Sequence, residues 1–118
     1  MKRLTTGLLI TALMGCTSSA TQDVKKNADD WFNIGENRAR NGLIIQPEVQ
    51  LAQNYSDDEM TTQFYNAYLQ GHESGVKIYC DQNPYILGLS EEPYFGLCNE
   101  GYSNFLDEYK KGLNHKKE

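Results

Sequence analysis

Tyr68-Leu69-Gln70-Gly71-His72-Glu73-Ser74-Gly75-Val76-Lys77-Ile78-Tyr79-Cys80 is the stretch on which the fold turns. It contains no proline, and its apolar and small residues return every three or four positions, the spacing of one helix face. Followed upstream, Met60, Phe64, Ala67, Tyr68, Gly71, Gly75 and Ile78 form a single stripe. Ser56 with Glu59 three residues later reads as a capping box, and Tyr55 can staple onto Met60. Asp57 and Asp58 put negative charge where the helix dipole favours it. The helix is expected to end near Tyr79, ahead of the turn signal Asp81-Gln82-Asn83-Pro84.

Two further helices flank it. Asn27 or Asp29 can cap a first helix running to about Asn41, with Ala28, Phe32, Gly35, Ala39 and Gly42 or Leu43 as its buried face and Trp31 at the border. Gly42 suits the helix end, and Pro47 follows in a loop. On the other side, residues 85–98 are irregular. Tyr85-Ile86-Leu87-Gly88 fits a short strand or a helical turn, and Glu91-Glu92-Pro93 reads as a turn. A last helix is expected from about Gly101 to Lys111, with Tyr102, Phe105, Leu106 and Tyr109 on one side and Gly112 as a left-handed cap. The expected architecture is mainly α: a small domain over residues 29–113 of about three helices, with a disulfide-pinned irregular segment between the second and third. Residues 114–118 read as a charged tail.

The N-terminus carries an address. Lys2 and Arg3 precede an uncharged, mostly apolar run from Leu4 to Met14, then Gly15 and Cys16. That order is signal-peptide grammar, with a run too short to span a bilayer. Leu13-Met14-Gly15-Cys16 resembles the lipobox of bacterial lipoproteins, whose cysteine is acylated before cleavage. Residues 1–15 are accordingly expected to be removed, Cys16 to carry lipid, and residues 16–28 to hold the lipidated cysteine and a polar, flexible tether. Thr17 after the cysteine, by the same resemblance, favours the periplasmic face of the outer membrane. Loss of Lys2 and Arg3, with no acid among the first fifteen residues, takes the formal charge from −5 to −7. Such a surface repels phosphate backbones, so nucleic acid is not an expected partner. No later apolar stretch exceeds Leu43-Ile44-Ile45, so no second membrane segment is expected.

Of three cysteines, Cys80 and Cys98 remain once Cys16 is set aside, an even pair in an oxidising compartment. A disulfide is the favoured reading. The pair lacks the histidines of a zinc site and the close spacing of a redox motif.

One local device recurs. Phe32-x-x-Gly35, Tyr68-x-x-Gly71, Tyr85-x-x-Gly88 and Tyr109-x-x-Gly112 each set glycine three residues after an aromatic, at unequal intervals. Glycine inside a helix costs about 1 kcal/mol relative to alanine, so its use implies close approach of another group. The residues concerned, Trp31, Gly35, Tyr68, Gly71, His72, Gly75, Tyr79, Tyr85 and Gly88, serve either helix packing or a ligand groove. Asp30-Trp31 with Gly35, Tyr68-x-x-Gly71-x-x-x-Gly75-Val76-x-x-Tyr79-Cys80, Tyr85-x-x-Gly88, Tyr94 with Cys98, and Phe105-x-x-x-Tyr109-x-x-Gly112 together resemble domain of unknown function family 2799, small proteobacterial lipoproteins. The resemblance runs from Asp30 to Gly112 and departs at Arg38-Ala39, where the family often carries Asp-Gly. It implies the envelope address and the disulfide, and no catalytic residue.

Side chains that could carry chemistry are few. His72 and His115 are the only histidines, and Ser90 lacks the G-x-S-x-G setting of a nucleophile. Asp57-Asp58-Glu59 lacks the calcium-loop pattern, and no metal or other cofactor is implied. The expectation is a non-enzymatic envelope lipoprotein that binds a periplasmic or outer-membrane protein, its eight tyrosines exceeding the needs of a small core. The alternative is a small hydrolase or sugar-binding protein with a tyrosine- and glycine-lined groove near His72, Glu73 and Tyr79.

Overall fold

The computed structural model describes residues 25–55 and 60–117. The signal segment, Cys16, the tether through Val24 and the expected cap Ser56–Glu59 lie outside them. Within the described residues five helices follow one another: α1 (Ala28–Arg40), α2 (Glu48–Asn54), α3 (Thr62–Cys80), α4 (Pro84–Leu89) and α5 (Phe105–Lys117). The domain is small and mainly helical, as the periodicity implies, with two short helices added to the three long ones.

α1 begins on a reciprocal box. The Asn27 side chain accepts from the Asp30 amide, and the Asp30 carboxylate accepts from the Asn27 amide. It ends in a Schellman turn: Gly42 has φ +80°, the Gly42 amide donates to Ala39, and the Leu43 amide donates to Arg38. α3 starts later than the sequence implies. Thr61, whose hydroxyl accepts from the Phe64 amide, caps it, and Met60 precedes the helix. α2 was not expected at all. Pro47 stands at its N-cap without a side-chain cap, and Leu51 fixes the helix by complete burial. α4 resolves the choice left open for residues 85–88 in favour of helix, with Asn83 as cap and Pro84 in the first turn.

The buried faces differ from the expected stripes by a small rotation. Trp31 is the centre of the α1 face, at 0 % exposure, and Phe32 is only half-buried. On α3 the line runs Tyr68, Gly71, His72, Gly75, Tyr79, and Ile78 is 46 % exposed. Steps of three and four lead from Gly75 to Tyr79 as readily as to Ile78, and packing selects the former. Gly112 is not a cap. It lies buried inside α5, which continues to Lys117 through what was expected to be a loose tail.

Helix pairing explains the aromatic–glycine units, which meet two by two. A Cβ on Gly35 would overlap the Tyr68 carbonyl oxygen, and one on Gly71 would overlap that of Phe32. The same exchange joins Gly88 to the Tyr109 carbonyl and Gly112 to the Tyr85 carbonyl. Each glycine thus seats its backbone on the carbonyl of the aromatic residue three positions before its partner glycine. Such approach brings Cα–H groups onto carbonyl oxygens, a weak but recurrent helix–helix contact. Contacts advance together along α1 and α3, from Phe32 beside Gly71 through Glu36 beside Gly75 to Gly42 beside Tyr79, so these helices run parallel. The chain between them must travel back along the pair, and α2 lies on that return.

α3, about 28 Å long at 1.5 Å per residue, serves two cores. Tyr68 joins Trp31 and Leu51 in one; Tyr79 and Cys80 join Leu87, Cys98, Phe105 and Tyr109 in the other. Cys80 and Cys98 form a disulfide, their Cα atoms 5.7 Å apart, that ties the end of α3 to the loop ahead of α5.

Candidate functional site

Residues 43–46 leave α1 without entering a helix, and side chains take up their backbone groups. The Arg38 Nε donates to the Ile44 carbonyl at 2.6 Å. His72 Nε2 lies 2.8 Å from the Leu43 carbonyl, which fixes the tautomer with the proton on Nε2. The Gln46 amide donates to the Tyr68 hydroxyl at 3.1 Å, and the Tyr65 hydroxyl donates to the Gln46 carbonyl at 2.9 Å. Tyr65, Tyr68 and His72 stand at helical steps of three and four, so one ridge of α3 grips the segment. Burial, with the negative charge that Tyr68 and Glu48 would place nearby, pushes the Tyr65 pKa above its ordinary value and keeps its hydroxyl a donor. Burial pulls the His72 pKa below its ordinary value; the Leu43 carbonyl opposes that shift and Arg38 adds to it.

The grip turns two apolar side chains toward solvent. Ile44 and Ile45 are held outward, at 55 % and 46 % exposure. They form one wall of an open groove of about 790 Å³. Leu69 and Val76 of α3 line it beside His72, and Leu97 stands on the opposite wall. Glu73 and Glu100 line it as well, and among the described residues no lysine or arginine does. The far wall, Gly96–Glu100, is also held by bonds. Cys98 is in the disulfide, its amide donates to the Tyr94 hydroxyl at 2.9 Å, and that hydroxyl donates to Asn99 Oδ1 at 2.8 Å. Gly96 turns the loop at φ +86°.

Of the nine residues singled out for packing or a groove, only His72 lines this one. Gly35, Gly71, Gly75 and Gly88 are enclosed between helices. Trp31 and Tyr68 are fully buried in one core, and Tyr79 is buried in the other. Tyr85 stands with Gly112 on the α4–α5 pair. Among the described residues that line this groove there is no tyrosine, and Gly96 is the one glycine. The tyrosines have another use: the hydroxyls of Tyr65, Tyr68, Tyr94 and Tyr109 all bind main-chain groups, Tyr109 by donating to the Glu92 carbonyl. Their number is therefore no measure of an interface. Trp31 Nε1 is buried without a hydrogen-bond partner among the described residues, while the Lys26 ammonium sits 5.8 Å from the Trp31 ring and 5.3 Å from that of Tyr55.

Sequence reasoning missed Ile44 and Ile45. The signal was present as two β-branched residues between a helix-ending Gly42 and Pro47, but which way they face depends on the α3 clamp.

The model of a protein family described as a protein of unknown function (DUF2799) matches residues 30–114. The chain belongs to this family. The matched span takes in both glycine pairs, both disulfide cysteines, the clamp and both walls of the groove. Neither a curated protein nor a solved structure matches the chain.

Proposed function

We propose that this chain is a non-enzymatic lipoprotein of the cell envelope, anchored through Cys16, whose helical domain binds a protein partner in the periplasm or at the outer membrane. The lipobox-like Leu13-Met14-Gly15-Cys16 supports the anchor. The observation that carries partner binding is the clamped segment 43–46, where four side-chain contacts hold two isoleucines in water. Exposing both forgoes up to about 1.5–3 kcal/mol of burial each, which a neighbouring protein surface would recover. His72 does not favour a hydrolytic reading: Nε2 is engaged with the Leu43 carbonyl, and among the described residues no serine or free thiol lines the groove beside it.

The test has two arms. Labelled palmitate should enter the protein, and Cys16→Ser should abolish labelling; labelling of that variant would contradict the anchor. Crosslinking in intact envelopes followed by pull-down should return one protein in stoichiometric yield. Recovery of monomer alone would contradict the binding reading.

A further inference from the structure

We infer that the groove over α3 receives a basic amphipathic polypeptide segment, a partner chemistry that rests on the binding reading above and narrows it. The groove presents Ile44, Ile45, Leu69, Val76 and Leu97, with the carboxylates of Glu73 and Glu100 beside them and, among the described residues, no basic side chain in its lining. Its volume of about 790 Å³ suits several side chains of an inserted segment. Glu73 meets Lys77 only at 3.9 Å, with both side chains more than 70 % exposed, so that pair contributes little and leaves the carboxylate open to another cation. An apolar segment without cations would desolvate two carboxylates with no replacement partner. An anionic headgroup or phosphate would meet like charge, in a chain whose formal charge is −5. A segment with apolar residues at helical spacing and Lys or Arg on its flanks satisfies both surfaces at once, in the helix-in-groove mode.

The experiment uses the full chain in its own envelope, with a photoreactive phenylalanine analogue at position 45 or, on the outer face of α1, at position 33. Crosslinked peptides are sequenced by mass spectrometry. The inference expects capture at position 45 and not 33, of a segment carrying Lys or Arg among apolar residues. Glu73→Lys with Glu100→Lys should reduce capture about tenfold, the equivalent of 1.4 kcal/mol, and acidic replacements in the captured segment should restore it. Both glutamates are exposed, so folding of the variant is checked by circular dichroism and the intact disulfide. An acidic or uncharged captured segment, a second copy of this chain, a lipid adduct, or capture unaffected by charge reversal each overturns the inference. Capture at position 33 alone overturns it while leaving partner binding in place, and capture at neither position overturns both.

Discussion

Gly71 and Phe32 meet backbone to backbone: a Cβ on Gly71 would overlap the Phe32 carbonyl oxygen, and neither helix can yield without moving main chain. Helix propensity alone argues that Gly71→Ala should stabilise the protein by about 1 kcal/mol. The contact argues the reverse. Gly71→Ala is expected to destabilise by about 1–3 kcal/mol in urea unfolding; a rise in stability would remove the account of how α1 and α3 pair.

The α4–α5 pair makes the same demand at Gly112. A glycine in a left-handed cap can be replaced by asparagine with little loss. At Gly112 the backbone is helical and the Tyr85 carbonyl occupies the place of a side chain. Gly112→Asn should therefore lower the melting temperature by several degrees, for a loss of about 1–3 kcal/mol. An unchanged melting temperature would restore the capping role.

These two glycines mark the limit of what the chain reveals by inspection. Three long helices, a first start at Asn27 or Asp29 that the structure places at Asn27, the Gly42 stop and the Cys80–Cys98 pair follow from local chemistry: periodicity, capping, parity of cysteines. The aromatic–glycine units were legible as sites of close approach. Their exchange of carbonyls was not, because it depends on which helix lies beside which. Gly112 misleads for the same reason, since lysines followed by glycine also describe a helix end. α2 escaped notice because a seven-residue helix has almost no period to read. The groove was the least accessible feature, since one wall is an irregular segment held by α3 side chains distant in sequence and the other depends on the disulfide to the end of α3.

The disulfide carries the far wall and the second core together. Its closed loop is near the length for which chain entropy gives roughly 3 kcal/mol. Cys80→Ala with Cys98→Ala should lower the melting temperature by more than about 10 °C, and the exported wild-type protein should show an intact mass two hydrogens below the reduced value. Two thiols alkylated without reductant would contradict the bond.

His72 gives the clamp a pH dependence. Its folded pKa lies below the ordinary value near 6.5, chiefly through burial. The folded state therefore favours neutral imidazole, and the unfolded chain binds the proton more readily. Its contribution is complete above the unfolded pKa and is lost as pH falls from 6.5 toward the folded value. His72→Gln keeps an N–H donor for the Leu43 carbonyl and does not titrate. The stability difference between wild type and this variant should shift against the wild type between about pH 7 and pH 5. A difference constant across that range would contradict the buried neutral imidazole.

If the clamp holds Ile44 and Ile45 outward for another protein, stability and binding separate at those two positions. Both side chains are exposed, so Ile44→Ser with Ile45→Ser should leave unfolding free energy within about 0.5 kcal/mol of wild type. Partner capture from envelopes by this otherwise intact protein should fall at least about tenfold, since the wall of the groove is gone. Capture equal to wild type from a variant of equal stability would contradict the account.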